Sequence, residues 1–135
     1  MVFACSERLE TALPLQAEAE AMRWAVCMSI GKDFGSIVLE GDSLICYQAL
    51  CLSDSTVPWR IRNIVQDIFL MVSRSHNVSF SGVSRVANGA AHCFVKWSLS
   101  YNFVGSIGVG SCPPCLEAAL LRRTLVLLLC LSFLL

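Results

Sequence analysis

Two carboxylates stand at positions that suit the binding of a hard divalent cation. Glu18 lies in an Ala-Glu-Ala-Glu-Ala run that opens a stretch with helical spacing, and Asp42 follows the apolar segment 37–39. Carboxylates at a helix start and at the carboxyl end of a strand can converge at one edge of a sheet. Because Mg²⁺ prefers oxygen ligands and keeps several of its waters, the two positions predict a site for such an ion.

Apolar spacing predicts alternating strands and helices around these residues. The predicted strands cover residues 1–5, 37–39 and 77–83. The predicted helices cover 16–30, a segment from the cap Asp42-Ser43 to Leu50, a segment from Pro58 to Val72 and a segment from Asn88 to Leu99. Alternating strands and helices imply an α/β fold with parallel strand pairing.

Each polar residue in this pattern also has an ordinary structural interpretation. Glu18, in a first helical turn, would complement the helix dipole, and Asp42 would serve as a plain N-cap. His92 is interpreted as a partly exposed helix residue. Arg60 and Arg62 could contact phosphates, although charged residues beside an apolar helix face are usually just solvated.

The composition excludes several classes of protein. Basic and acidic residues number 10 each, so the formal net charge is zero, which excludes a polycation that binds nucleic acid by charge alone. Hydrophobic residues make up 56%, which excludes a disordered charged tail. Several of the eight cysteines lie in apolar stretches, and no secretory signal precedes them. We therefore expect an intracellular protein, nuclear or cytoplasmic, with reduced thiols.

Three motifs, taken in their order and spacing, resemble the type 1 ribonuclease H family, in the version found in plant non-LTR retroelements and their domesticated relatives. They are Ala-Glu-Ala-Glu-Ala at 17–21, Glu-Gly-Asp-Ser at 40–43 and a segment at 80–92 that contains Arg85 and Asn88. The resemblance covers residues 1–103 and implies a retrotransposon-derived, reverse transcriptase-like domain that binds nucleic acid. Members of the family cleave the RNA strand of RNA–DNA hybrids with two Mg²⁺ ions.

The resemblance assigns roles to four residues of this chain. Glu18 and Asp42 match catalytic carboxylates that bind metal. Arg85 and Asn88 match the arginine and asparagine of the last motif, which implies nucleic-acid binding. The implied cofactor is therefore Mg²⁺, and the implied partner is an RNA–DNA hybrid.

Departures from the family pattern imply that catalysis is weak or lost. Gly82 stands where the family has a flexible histidine. His92 stands where it has its last aspartate, and a neutral imidazole is a poorer ligand for Mg²⁺ than a carboxylate. The family's first strand and its aspartate have no counterpart, so we expect two of four metal-binding carboxylates to remain.

The same resemblance implies a ribonuclease H-like three-layer α/β fold in which the first two strands of the mixed sheet are missing. The family orders its strands 3-2-1-4-5, so segment 1–5 would lack its neighbour and segment 37–39 would expose an unpaired edge. Buried backbone groups without partners cost about 1–3 kcal/mol each. We expect a marginal or partly disordered domain unless another chain or the apolar C-terminal tail fills the gap.

After residue 103 the composition changes, first to a segment rich in glycine, serine and proline and then to an apolar one. We predict a domain over 1–103, a turn-rich linker and short helix over 104–123, and an apolar tail over 124–135. As a helix the tail would span about 18 Å, too short for a hydrocarbon core of about 30 Å. Cys112 and Cys115 have the spacing of a redox pair, but they lack the strand or second ligand pair that would support one.

The leading hypothesis is a ribonuclease H-like domain that binds nucleic acid and is catalytically impaired. The alternative is a non-catalytic retroelement remnant that binds a partner protein through its open sheet edge. A membrane-associating role for residues 116–135 is a weaker hypothesis. Reading-frame errors at both ends would explain the departures without any of these functions.

Overall fold

The chain forms a mixed α/β fold, as the alternation of strands and helices predicts. The computed structural model describes residues 3–11, 13–32, 36–52, 56–74, 77–108, 111, 113–114 and 127–133. The elements in chain order are β1 (Phe3–Leu9), α1 (Pro14–Gly31), β2 (Ile37–Gly41), α2 (Leu44–Cys51), a 3-10 helix (Trp59–Ile61), α3 (Arg62–Ser73), β3 (Val78–Gly82), α4 (Gly89–Ser100), β4 (Gly105–Gly108) and β5 (Leu127–Phe133). They divide into two compact units, of which unit 1 comprises Met1–Ala12 with Arg85–Leu135 and unit 2 comprises Leu13–Ser84.

The sheet of unit 2 consists of β2 and β3. The two strands are parallel, from Ile37 opposite Val78 to Gly41 opposite Gly82, which confirms the predicted parallel pairing. Within the described residues β2 pairs with β3 alone. Val38, in the middle of β2, is 61% exposed, so part of the apolar surface of this strand is uncovered.

The core of unit 2 forms where α1 and α3 pack together. Apolar residues recur three and four positions apart along α3, which gives that helix one apolar side; Ile64 and Ile68 on it are buried. Val26 and Ser29 are buried on α1. The Ser29 hydroxyl donates to the Ala25 carbonyl at 2.6 Å, so this buried polar group has the partner that burial demands.

The helix that carries Glu18 begins at Pro14, two residues earlier than predicted. Proline suits the first helical turn, because its missing N–H would have no partner there and its φ is already fixed. Leu13 is the N-cap residue, and its carbonyl accepts the Ala17 N–H at 3.0 Å. The helix dipole acts most strongly on a carboxylate in the first turn. Glu18 lies beyond that turn, so its interpretation as a first-turn residue is wrong.

β1 is the central strand of unit 1. Its sheet has the strand order β4-β1-β5. β4 is antiparallel to β1. β5 is parallel to it along its whole length, from Phe3 opposite Leu127 to Leu9 opposite Phe133. A strand with neighbours on both sides has its backbone groups paired on both edges.

Unit 1 differs from the sequence-based predictions in two ways, and it matches one of the alternatives that the sequence left open. Its first strand extends to Leu9 rather than to residue 5, because all seven of its residues pair with β5. Gly105–Gly108, predicted as part of a linker, is a strand. Residues 127–133 of the apolar tail form a strand beside β1, which is the alternative in which the tail pairs with the first strand.

α4 packs against β5 and β1 in unit 1. Phe94 and Ala4 are buried at the centre of this packing, and Trp97 and Phe103 lie against them. Ser98 on the same helix is 1% exposed, and its hydroxyl has no hydrogen-bond partner among the described residues. An unpaired buried hydroxyl is a destabilising feature.

Some sequence-based predictions lie outside the described residues. They are the Cys112 and Cys115 pair and the short helix over 116–123. Of the helices that the structure describes, none is long and apolar enough to cross a membrane.

Candidate functional site

Glu18 lines a small cavity in unit 2. The cavity has a volume of about 20 Å³, which is room for a single water molecule. Its other lining residues come from α1, β2, α2, β3 and the N-cap of α2, and they are Met22, Gly41, Ser43, Cys46, Tyr47, Leu50, Phe80 and Ser81. Glu18 is the one carboxylate among these lining residues, so any charge that the cavity wall carries is negative.

α2 presents one face to this cavity. Ser43, Cys46, Tyr47 and Leu50 are spaced three, four and seven positions apart, which places them on one side of a helix, and all four line the cavity. Ser43 is the N-cap residue, and its hydroxyl accepts the Cys46 N–H at 3.5 Å. The cap therefore fixes the start of α2 at the wall of the cavity.

Asp42 lies between two lining residues, Gly41 and Ser43, and is half-buried. Because the cap of α2 is Ser43, the interpretation of Asp42 as a plain N-cap is wrong. Gly41, the last residue of β2, and Glu18 of α1 thus line one cavity, and Asp42 directly follows Gly41 in the chain.

The pKa of the Cys46 thiol is raised by its surroundings in this region. Burial raises the pKa of the thiol, a hydrogen bond with Ser43 lowers it, and the negative charge of Glu18 raises it. The thiol donates to the Leu15 carbonyl at 3.9 Å. Because the thiolate is the form that attacks electrophiles and binds metals, Cys46 is a neutral packing group at neutral pH.

Tyr47 packs against the end of β3 at Gly82. A Cβ at position 82 would lie 3.0 Å from Cγ of Tyr47 and 3.2 Å from its Cδ1, which is tighter than most contacts of a Cβ atom. The tyrosine ring therefore takes the space that a side chain at position 82 would need. Glycine, which has no side chain, is compatible with this position of the ring. The resemblance to the ribonuclease H family implies a histidine at the same position.

Arg85 and Asn88 lie in unit 1, in the turn that precedes α4. Arg85 is exposed. Asn88 is the N-cap residue, and its carbonyl accepts the His92 N–H at 3.2 Å, but its side chain makes no capping hydrogen bond. Glu18 and Asp42 belong to unit 2, so the four predicted site residues are divided between the two units.

The donors in the described part of the chain suit one metal ion better than two. These residues contain no group of three or more His, Cys, Asp or Glu side chains placed to hold a metal ion. The described residues therefore show no donor set for a pair of Mg²⁺ ions that clamps both the attacking and the leaving oxygen. A single Mg²⁺ is commonly held by one or two carboxylates and several waters, and Glu18 with Asp42 has the chemistry for that arrangement.

Several residues that line the cavity were not predicted from the sequence. Helical spacing could have predicted Tyr47, because it follows Ser43 by four positions and so lies on the same side of the helix. Met22 follows Glu18 by four positions and could have been predicted in the same way. No such spacing predicts Ser81, since only the register of β3 against β2 places it at the cavity.

Comparison with known proteins adds one match. A family model described as reverse transcriptase-like matches residues 1–98. The matched part contains all of unit 2, together with β1 and most of α4, and it includes Glu18, Asp42, Arg85 and Asn88. No curated protein and no solved structure matches the chain.

Proposed function

This chain belongs to the reverse transcriptase-like family, a retroelement family with a ribonuclease H-like domain, and we propose that it binds nucleic acid, with RNA–DNA hybrids as the substrate class. We propose further that its nuclease activity is weak or lost. The observation that supports this second part is the donor set: Glu18 lines the cavity, Asp42 follows the lining residue Gly41 in the chain, and the described residues contain no group of three or more ligands for a metal ion. Such a role belongs to the nucleus or the cytoplasm.

Four residues have defined parts in this proposal. Glu18 and Asp42 would hold a single Mg²⁺, and that ion, when bound, supplies a Lewis acid for a phosphoryl oxygen. Without a cation the two carboxylates would repel a phosphate backbone. Arg85 and Asn88 would contact that backbone, because an arginine donates short, charge-assisted hydrogen bonds to phosphate oxygens.

Binding is tested with a labelled RNA–DNA hybrid and the full chain, by fluorescence anisotropy at several salt concentrations. Each arginine that neutralises a phosphate adds about 1 to the slope of log affinity against log salt. We expect Arg85→Gln to reduce the slope by about that amount. The matched control is Arg74→Gln, which removes an exposed arginine at the end of α3. Absence of hybrid binding at low salt would contradict the proposal.

The metal site is tested by the effect of Mg²⁺ on unfolding, because an ion that binds only the folded chain raises its stability. We expect Mg²⁺ to raise the urea midpoint of the wild type, and to have less effect on Glu18→Gln and Asp42→Asn. Asp67→Asn, the same chemical change at an exposed position of α3, should respond like the wild type. Hybrid cleavage that survives Asp42→Asn would rule out the proposed site.

The alternative function is protein binding through the edge of β2. Two observations favour it: β2 pairs with β3 alone among the described residues, and Val38 on β2 is 61% exposed. Strands at a sheet edge can pair with a strand of another chain. Size-exclusion chromatography with light scattering tests for self-association, and a stable monomer that binds hybrids normally would count against this alternative.

A further inference from the structure

The 3-10 helix of unit 2 displays a large aromatic ring on the surface. Trp59 is 75% exposed, although burying a tryptophan side chain is strongly favourable. The guanidinium of Arg60 lies over this ring, with its Cζ 5.2 Å from the ring centroid, within the range of a cation–π interaction. The pair therefore presents a flat π surface with a positive charge on one of its faces.

This exposed pair is held by a firmly anchored turn. Ile61, the last residue of the 3-10 helix, is 0% exposed, and the helix contacts both α1 and α3. The Ile61 N–H donates to the Pro58 carbonyl at 3.1 Å, which closes the turn. Because Ile61 is fixed in the core, the turn holds Trp59 and Arg60 at the surface.

Two arginines follow Trp59 closely in the chain, although the chain as a whole has no net charge. Between Thr56 and Gln66 the sequence contains Arg60 and Arg62 and no acidic residue. Both arginines are exposed, and among the described residues neither forms an ion pair. Their charges therefore remain available to an anionic partner.

We propose that Trp59, Arg60 and Arg62 bind unpaired nucleotides, with a base stacked on the Trp59 face opposite Arg60 and the neighbouring phosphates on the arginines. Aromatic stacking tolerates any sequence, since every base has a π face. Bases inside a hybrid duplex are already stacked on both faces, so the surface selects a single-stranded overhang. This inference rests on the proposed nucleic-acid binding and gives it a second contact surface, within unit 2.

The test compares two ligands for the full chain: a blunt RNA–DNA hybrid and the same hybrid with a single-stranded overhang. Base–aromatic stacking contributes about 1–3 kcal/mol per base by alanine substitution. We therefore expect Trp59→Ala to weaken binding of the overhang hybrid at least fivefold and to leave the blunt hybrid unchanged. Trp59→Phe, which keeps a ring, should retain most of the overhang preference, and Arg60→Gln should reduce the salt slope for the overhang hybrid by about 1.

Matched controls separate stacking from a general loss of surface or of folding. Phe69→Ala removes another exposed aromatic ring, on α3, and should change neither affinity, while circular dichroism verifies that each variant is folded. Equal losses on both ligands would indicate phosphate contact without stacking and would overturn the inference. If the wild type binds both hybrids and Trp59→Ala changes nothing, the inference fails while the proposed function stands. If the wild type binds neither hybrid, both fail.

Discussion

The ring of Tyr47 lies so close to the backbone at Gly82 that a Cβ there would be 3.0 Å from its Cγ. The same ring forms part of the wall of the cavity that Glu18 lines. Because Gly82 has no side chain, the ring of Tyr47 can lie against the backbone at position 82.

Adding a methyl group at position 82 should destabilise unit 2. Gly82→Ala forces the Tyr47 ring to move, and overpacking of this kind costs about 1–3 kcal/mol. Urea unfolding followed by circular dichroism measures the loss. In a Tyr47→Ala background the same substitution should cost much less, because a double-mutant cycle reports the coupling of residues in contact.

Gly89→Ala is the matched control for this prediction. A Cβ at position 89 would meet no atom within 4 Å, and alanine is a better helix former than glycine. We expect this variant to be as stable as the wild type or slightly more so. Equal costs of Gly82→Ala with and without Tyr47 would show that the ring and the glycine are not coupled.

Cys46 should contribute stability that is lost at alkaline pH. Its folded-state pKa is raised above the ordinary value of 9.0, mainly by burial. The unfolded thiol therefore ionises first as the pH rises. The contribution is complete below pH 9.0 and falls as the pH rises through the folded pKa. Urea midpoints measured across this range, in the wild type and in Cys46→Ala, should converge as the pH increases.

The influence of Glu18 on Cys46 can be measured separately. Replacing Glu18 by glutamine removes a negative charge that raises the pKa of the thiol, so alkylation of Cys46 by iodoacetamide should become faster at a given pH. Mass spectrometry resolves the labelled residue, and the exposed thiol of Cys27 on α1 is the internal reference. An unchanged ratio of the two rates would mean that the carboxylate does not act on Cys46.

The sequence predicts the elements of unit 2 and the helix α4 well but the strands of unit 1 poorly, and the reason is the range of the contacts. Helical spacing in α3 and the strand β3 depend on nearby residues, so local pattern is sufficient to predict them. The length of β1 depends on pairing with β5, which lies at the far end of the described chain. No local pattern contains that information.

The candidate site residues remain a prediction from motif order. Of the two carboxylates, Glu18 lines the cavity, and Asp42 follows the lining residue Gly41 in the chain. The ordinary interpretation of Asp42 as a cap failed because serine and aspartate are both good caps, and only the backbone shows that Ser43 takes that place. The contact between Tyr47 and Gly82 joins distant segments and leaves no sign in either one.

Removing the N-cap of α2, the helix that forms one side of the cavity, should lower the free energy of unfolding. Ser43→Ala deletes the oxygen that accepts the Cys46 N–H, and loss of such a cap typically costs about 1 kcal/mol. Urea unfolding measures this cost. Ser43→Asn preserves a capping oxygen and should remain near wild-type stability. Equal stabilities of the two variants would mean that the hydroxyl does not cap the helix.

Ser98→Ala should stabilise the chain. The Ser98 hydroxyl is buried without a hydrogen-bond partner among the described residues, and a buried unsatisfied group costs about 1–3 kcal/mol. We expect a gain of about 1 kcal/mol in the free energy of unfolding, measured by urea denaturation. Ser29→Ala, where the buried hydroxyl is already paired with Ala25, should give no such gain. A loss of stability in Ser98→Ala would show that the hydroxyl has a partner.

The parallel pairing of β1 with β5 has a consequence for folding during synthesis. Unit 2 is a continuous segment of chain, so all of its contacts are available once Ser84 has left the ribosome. Of the described strands β1 is made before the others, but one of its two neighbours is complete only when Phe133 has been made. Domains generally fold as units while the chain is synthesised, and pairing between distant segments is slow. The strand made first is therefore among the last to be completed, and until then its backbone is open to chaperones and to other chains.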